Sequence, residues 1–165
     1  MRARTVLVTG GSGTGKSTVR RELARRGVST VDGDGELAYQ GDLATGTPLA
    51  PGPGERPSHW NHLWDVARAT EVAARQTGTV VFCGDARNLN AVLHLFDVVV
   101  VLQIDEKTLL RRLGRRPAGE FGATRDEREL VLRLHEQTDR WPSDAVVVDA
   151  TRPVFDVVDD ILALT

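Results

Sequence analysis

The chain has 165 residues, of which 41% are hydrophobic and 27% charged, and its formal net charge is −2. These values predict one soluble globular domain, residues 1–165, with enough chain to bury a full core. The small net charge gives no global attraction to nucleic acid or anionic membranes, and no apolar stretch approaches the roughly 20 residues of a membrane span. Cys83 is the single cysteine, which excludes an intrachain disulfide, and we expect a reducing, cytoplasmic setting.

Strand-like and helix-like segments alternate along the chain. Short apolar runs predict strands over 5–9, 28–31, 79–83, 97–102 and 145–148. Helical spacing of apolar residues predicts helices over 16–26, 59–76, 89–95, 105–115, 124–140 and 154–164. A glycine- and proline-rich stretch predicts a flap over about 36–60, and a break near 117–122 predicts a short lid over about 114–125. The alternation is typical of an α/β three-layer fold with a five-stranded parallel sheet and helices on both faces.

The segment that joins the first strand to the first helix is Gly10-Gly11-Ser12-Gly13-Thr14-Gly15-Lys16-Ser17, and it matches the P-loop pattern in full. Its glycines let consecutive backbone N–H groups point at phosphate oxygens, and the following helix adds its positive N-terminal end. Lys16 is expected to reach the β- and γ-phosphates, and the Ser17 hydroxyl to join the shell of a Mg²⁺ ion. The sequence therefore predicts a P-loop NTPase fold whose nucleotide site is formed by Gly11, Ser12, Gly13, Thr14, Gly15, Lys16, Ser17 and Thr18.

Polar residues follow two other strands of the predicted sheet, at the carboxyl ends where ligands bind in such folds. After the second strand come Asp32 and Asp34. One could hold Mg²⁺ through water and the other could accept the proton of an attacking hydroxyl, although Asp-Gly is also common turn chemistry. After the third strand, Asp85 is a second Mg²⁺ candidate, and Arg87 suits a phosphate or carboxylate because its planar guanidinium binds such groups through two parallel hydrogen bonds.

Arginines are frequent after the fourth strand, in and beside the predicted lid. Arg116, Arg125 and Arg133 could close onto the transferring phosphoryl group and exclude water. The alternative is a solvated helix face on which the arginines pair with neighbouring acidic side chains.

Four ring-bearing residues cluster at the start of the predicted 59–76 helix: His59, Trp60, His62 and Trp64. They could stack on a planar substrate or pack in the core, and the core is favoured for Trp64. The histidine pair could hold a metal only with further ligands, and none lies nearby in the sequence.

Together these motifs resemble the P-loop kinases of small molecules, which include nucleoside monophosphate kinases such as adenylate kinase, and shikimate, gluconate and adenylylsulfate kinases. Val31-Asp32-Gly33-Asp34 is similar to the Asp-x-Asp of shikimate kinase, which implies that Asp32 serves Mg²⁺ and Asp34 the substrate hydroxyl. Gly84-Asp85-Ala86-Arg87 resembles an adenylate kinase segment whose arginine holds the acceptor phosphate. Arg125 and Arg133 resemble the lid-side arginines that touch the phosphates in adenylate kinases.

The sequence thus predicts a phosphotransferase that uses ATP and Mg²⁺ and moves the γ-phosphate to a small-molecule acceptor, a nucleoside monophosphate or a hydroxylated metabolite. The predicted site comprises catalytic Lys16, Asp34, Arg125 and Arg133, a nucleotide contact from Arg116, acceptor contacts from Asp34 and Arg87, and metal candidates Ser17, Asp32 and Asp85. The alternative is a regulatory nucleotide-binding ATPase or GTPase module that hydrolyses slowly and signals through the flap. A nucleic-acid kinase is disfavoured by the charge, and neither the acceptor nor the oligomeric state can be read from the sequence.

Overall fold

The computed structural model describes residues 4–137 and 139–165. The strands are β1 (Thr5–Thr9), β2 (Ser29–Asp32), β3 (Ala38–Gln40), β4 (His62–Trp64), β5 (Val80–Cys83), β6 (Val98–Gln103) and β7 (Val146–Asp149). The α-helices are α1 (Lys16–Arg25), α2 (Val66–Ala74), α3 (Glu106–Leu113), α4 (Arg125–His135) and α5 (Val154–Leu162). None of the helices in these ranges is long and apolar enough to cross a membrane.

Five of the strands form one parallel sheet in the order β2-β5-β1-β6-β7. The central strand β1 is buried along its whole length. It pairs with β5 on one side and β6 on the other, so that Leu7 lies between Phe82 and Val99. Strands buried on both faces need apolar side chains at every position, which explains the continuous runs of valine and leucine in the sequence. This sheet confirms the predicted five-stranded α/β fold.

Two apolar clusters cover the two faces of the sheet. On one face, α1, α3, α4 and α5 pack against alternate strand residues such as Val6, Val8 and Val100. On the other face, α2 and the 3₁₀ turns at 89–91 and 93–95 pack with Trp64 and Phe82. The molecule therefore has the three layers that the alternating pattern predicts.

The predicted helix over 59–76 is wrong in its first third. Residues 59–61 form a 3₁₀ turn, and β4 then pairs antiparallel with β3, so that Ala38 faces Trp64. The helix begins only at Val66, because the Asp65 side chain accepts a hydrogen bond from the Arg68 N–H and caps it there. The two strands of this hairpin stand at the beginning and just after the end of the flap, and His62 therefore lies on a strand.

Two other helix predictions also extend too far. Over 89–95 there are two 3₁₀ turns in place of a helix, and α4 ends at His135 rather than near residue 140. Residue 138 of the latter prediction lies outside the described residues. The start of α4 agrees with the sequence, because Thr124 and Glu127 form a reciprocal capping box.

Candidate active site

The P-loop leaves β1 and enters α1 through glycines that adopt left-handed backbone conformations. Gly13 has φ +87° and Gly15 has φ +101°, values that residues with a side chain rarely adopt. The Thr14 hydroxyl donates to the Gly11 carbonyl at 2.8 Å, and Lys16 Nζ donates to the carbonyls of Gly10 at 2.7 Å and Gly11 at 3.0 Å. Burial lowers the pKa of Lys16, against the opposing effect of nearby carboxylates. The lysine is thus folded over the loop at the place where phosphates would bind.

Arg112 supports the loop from α3, a role that the sequence reasoning missed. Its guanidinium donates to the carbonyls of Gly13 and Thr14 at 3.0 Å each, and to the Ala150 carbonyl at 2.8 Å. Three carbonyls from two loops therefore converge on one planar donor. The arginine-rich run after the fourth strand was visible in the sequence, but nothing local distinguished Arg112 from its neighbours.

A cleft of about 580 Å³ extends over the P-loop and the first turn of α1. Its walls include Arg112, Arg116 and Glu120, and its floor includes the predicted nucleotide residues Ser12, Gly13, Thr14, Gly15, Lys16, Ser17 and Thr18. Arg116, within the lid, also donates a hydrogen bond to the Phe121 carbonyl further along the same segment. The volume and the row of loop amides suit a nucleoside triphosphate.

Asp34 lies in the turn after β2 and faces the same space. Its Oδ1 accepts hydrogen bonds from His62 Nε2 at 3.1 Å and from the Asp85 N–H at 3.2 Å. Burial alone would raise the pKa of Asp34, but the His62 hydrogen bond and the charge of Lys16 outweigh it and lower that pKa below its ordinary value. The same hydrogen bond raises the pKa of His62. Asp34 is therefore ionised and oriented.

A second cleft, of about 300 Å³, adjoins the first. Ser12, Lys16 and Asp34 line both clefts. The remaining walls come from the flap, the segment after β5 and the lid: Gln40, Pro57, Ser58, His59, His62, Asp85, Ala86, Arg87 and Phe121. The P-loop lysine and the Asp34 carboxylate thus stand at the junction of two binding spaces.

Arg87 lies in the wall of the second cleft with unused hydrogen-bonding capacity. Its guanidinium lies 4.9 Å from the centre of the Trp60 ring, and its buried Nε has no hydrogen-bond partner among the described residues. His59 Nε2 is likewise buried without a partner there, and burial lowers the pKa of His59. Buried polar atoms without partners are costly, and because Arg87 Nε is a donor, this wall is suited to a ligand that carries acceptor atoms.

The predicted metal candidates lie in different surroundings. Ser17 lies in the first cleft. Asp85 lies in the second cleft and pairs with Arg140. Asp32 is paired with Arg20 at 3.0 Å and accepts from the Gly35 N–H at 3.1 Å, and it lines neither cleft. Their roles in metal binding stay predictions.

Arg125 and Arg133, the two predicted catalytic arginines, line neither cleft. The Arg125 side chain is 90% exposed and pairs with Glu129 at 3.1 Å, one turn along α4. Arg133 is also exposed. In this structure the arginines that line the first cleft are Arg112, Arg116 and Arg152, and the catalytic roles of Arg125 and Arg133 stay predictions.

The flap and the lid contact each other above the second cleft. Arg56 of the flap donates to the Gly119 carbonyl at 2.8 Å and pairs with Glu127 at 3.1 Å. The ring of His59 stacks on Phe121, with centroids 5.7 Å apart and planes 12° from parallel. The flap and the lid therefore meet beside the second cleft, which both His59 and Phe121 line.

Comparison with known proteins agrees with this architecture. A family model described as an AAA domain matches residues 6–133. No curated protein matches the chain.

Several solved structures share the fold along nearly the whole chain. Shikimate kinase from Acinetobacter baumannii in complex with shikimate is 20% identical with a TM-score of 0.65, covering 98% of this chain and 92% of that chain. A gluconokinase from Sinorhizobium meliloti is 23% identical with a TM-score of 0.57, covering 98% and 91%. The APS kinase of Mycobacterium tuberculosis, in complex with AMPPNP and APS, is 21% identical with a TM-score of 0.56, covering 99% and 97%. These likenesses confirm the fold class that the sequence predicts.

Proposed function

This chain belongs to the AAA domain family, and from that premise we propose that it is a phosphotransferase that moves the γ-phosphate of ATP to a small hydroxylated acceptor. The main support is that the P-loop cleft and the second cleft meet at Lys16 and Asp34. A nucleotide sensor needs only the first cleft. A transferase needs two adjoining binding spaces, with a phosphate-binding side chain and a carboxylate where they meet. The fold shared with shikimate, gluconate and APS kinases is consistent with this.

The first cleft would hold the nucleotide. The loop amides and Lys16 bind the β- and γ-phosphates, and Arg116 adds positive charge beside them. The Ser17 hydroxyl fits Mg²⁺, a cation that prefers oxygen ligands and takes most of its shell from phosphates and water, with Asp32 or Asp85 acting through water. When bound, the ion supplies neutralisation of the phosphate charge.

The second cleft would hold the acceptor. Asp34 accepts a hydrogen bond from the acceptor hydroxyl and directs its oxygen at the γ-phosphorus. As the new O–P bond forms, the bond from the γ-phosphorus to the leaving ADP oxygen breaks and the hydroxyl proton passes to Asp34 and then to solvent. Because phosphoryl transfer has a loose transition state, orientation by an ionised carboxylate matters more than strong basicity.

The chemistry of the second cleft favours an acceptor with an anionic group. Arg87 Nε is buried without a partner among the described residues, and a phosphate or carboxylate is the natural ligand for a guanidinium fork. The volume of about 300 Å³ suits a compact metabolite. We propose hydroxylated acids as the acceptor class that fits the hydroxyl step above. Nucleoside monophosphates, whose acceptor atom is a phosphate oxygen, are the alternative class.

The test is a phosphoryl-transfer screen with [γ-³²P]ATP and Mg²⁺ against hydroxylated acids, neutral polyols and nucleoside monophosphates. Lys16→Ala is the control for the nucleotide site, and we expect it to abolish most transfer. Nucleotide binding without transfer to any compound would contradict the phosphotransferase and favour the regulatory module.

Asp34→Asn keeps the shape of the side chain and removes its charge. We expect this variant to bind the ATP analogue AMPPNP like the wild type and to lose transfer by about 10²-fold or more, as for a general acid–base group. Normal transfer by this variant would assign Asp34 to turn structure alone.

A further inference from the structure

The two oxygens of the Asp34 carboxylate are in different situations. Oδ1 accepts both hydrogen bonds, from His62 Nε2 at 3.1 Å and from the Asp85 N–H at 3.2 Å. A β-carbon at Gly84 would lie 2.9 Å from the same oxygen, so this oxygen lies close against the backbone after β5. Oδ2 has no hydrogen bond with any described residue. The carboxylate therefore has one oxygen held by the protein and one without a hydrogen-bond partner, in a residue that lines both clefts.

His62 is itself held by the hairpin and by the wall of the second cleft. It opposes Gln40 in the β3–β4 pair, and its carbonyl accepts the Arg87 N–H at 2.9 Å. The next two residues, Leu63 and Trp64, are at most 1% exposed, so β4 is anchored in the core. A side chain on such a strand is placed more accurately than one on a loop.

We propose that His62 is a positioning residue for Asp34, which it holds through Oδ1 so that Oδ2 faces the acceptor hydroxyl. This inference rests on the proposed phosphotransferase function and deepens it. The carboxylate is an acceptor, so Nε2 of His62 carries the proton in this hydrogen bond. The flap hairpin thereby becomes part of the reaction geometry, because it carries the group that orients the carboxylate.

Other charged groups surround this pair, and the test has to separate them from the hydrogen bond. Lys16, Asp85, Arg87 and His59 line the same cleft as the His62–Asp34 pair. A substitution that removes only the donor at His62 leaves all of these in place. Gln can place its amide N–H near the position of Nε2, whereas Leu has similar bulk and no donor.

The first readout needs no acceptor. In ¹⁵N-labelled protein, the imidazole signals of His62 should report a protonated, hydrogen-bonded Nε2, and Asp34→Ala should shift them. His94 is exposed and lies next to Leu95, whose carbonyl contacts Thr5 at the end of β1 away from the P-loop, so it provides the unaffected reference signal. His62 signals that are the same in wild type and Asp34→Ala would overturn the inference.

The second readout is transfer to whichever compound gives Lys16-dependent transfer in the screen. We expect His62→Leu to lower kcat about tenfold to a hundredfold, the scale of a misplacement of about 1 Å, with KM for ATP unchanged. His62→Gln should retain kcat within about threefold, and His94→Leu should behave like the wild type. Thermal unfolding of each variant separates loss of positioning from loss of folding.

The outcomes distinguish this inference from the function on which it rests. Wild-type kcat in His62→Leu, or an equal loss in the Leu and Gln variants, would overturn the positioning role while the kinase stands. If no compound gives Lys16-dependent transfer, the proposed function fails, and the ¹⁵N signals alone decide whether His62 holds Asp34.

Discussion

Gly33 and Trp64 touch so closely that replacing Gly33 by alanine should be among the more damaging single-methyl changes in this protein. A β-carbon at Gly33 would lie 2.0 Å from Trp64 Cζ2 and within 2.7 Å of two further ring atoms, where ordinary contact begins near 3.4 Å. The Trp64 ring is fully buried. Asn88 also fixes its backbone, because the side-chain amide accepts from the Trp64 N–H and donates to its carbonyl, both at 2.9 Å. The Trp64 ring therefore cannot shift by a small amount to relieve the overlap with a methyl group at Gly33.

The expected magnitude follows from overpacking of a dense interior. Forced overlap with a buried side chain typically costs about 1–3 kcal/mol. For a chain of this length, each kcal/mol lowers the unfolding midpoint by about 2–4 °C. Because Gly33 precedes Asp34, transfer activity should fall as well. Urea unfolding at a fixed pH measures the free energy, and a thermal melt gives an independent estimate.

Gly78→Ala is the matched control. A β-carbon at Gly78 would meet nothing within 4 Å, and the residue is not in the left-handed region, so the change should be neutral or slightly stabilising. A double-mutant cycle with Trp64→Phe completes the test, because phenylalanine lacks the ring atoms that a methyl at Gly33 would strike. We expect a coupling free energy of about 0.5 kcal/mol or more. A Gly33→Ala variant as stable as Gly78→Ala, or an additive cycle, would refute the reasoning.

Three further changes test other contacts. Two arginines lower the pKa of Glu22 from 4.5 to about 2, so Glu22→Gln should lose stability relative to the wild type above about pH 4.5, and the difference should vanish as pH falls through about 2. Arg112→Lys removes the fork that joins three carbonyls, so stability should fall by about 1–3 kcal/mol and AMPPNP should bind more weakly by calorimetry. Thr124→Val removes the cap acceptor for the Glu127 N–H, so α4 and the lid should lose about 0.5–2 kcal/mol in urea unfolding.

Each of these has its own control. For Glu22, stability curves of variant and wild type that stay parallel down to pH 2 would show that the arginine contacts add nothing. Arg111→Lys changes an exposed neighbour of Arg112 and should leave AMPPNP binding unchanged. If the two lysine variants behave alike, the carbonyl contacts do not support the P-loop. Thr70→Val, at an exposed position inside α2, should change stability by less than about 0.5 kcal/mol, and an equal loss there would contradict a specific cap.

Local signals were sufficient for the sheet and the P-loop. Valine runs at regular intervals identify strands buried on both faces, and the glycine, lysine and serine spacing of the loop has few other structural explanations. The β3–β4 hairpin was missed because its strands are three residues each and their pairing spans the whole flap. The apolar spacing around Leu63 and Trp64 resembles a helix, and only the long-range pairing with Ala38 decides for a strand.

The candidate site was predictable where its residues follow a strand, and unpredictable where its contacts are distant in sequence. Asp34 and Arg87 follow the ends of β2 and β5 by a few residues, and both line the second cleft, although their roles stay predictions. The His62 contact to Asp34 crosses 28 residues, and the Arg112 contact to Gly13 crosses 99. No periodicity or motif specifies such pairs, because they depend on how the hairpin and α3 are placed by packing.

The contact between the flap and the lid has a consequence for the rate at which the proposed enzyme releases its products. Glu120 and Phe121 are adjacent in the lid, yet Glu120 lines the first cleft and Phe121 lines the second. One short segment therefore borders both clefts, and Arg56 joins the flap to it through the Gly119 carbonyl and to the start of α4 through Glu127. An ion pair near the surface weakens as salt rises, so raising the ionic strength should loosen the Arg56–Glu127 contact between the flap and α4. Release of product would then respond to salt even though neither partner of the pair touches the reacting atoms.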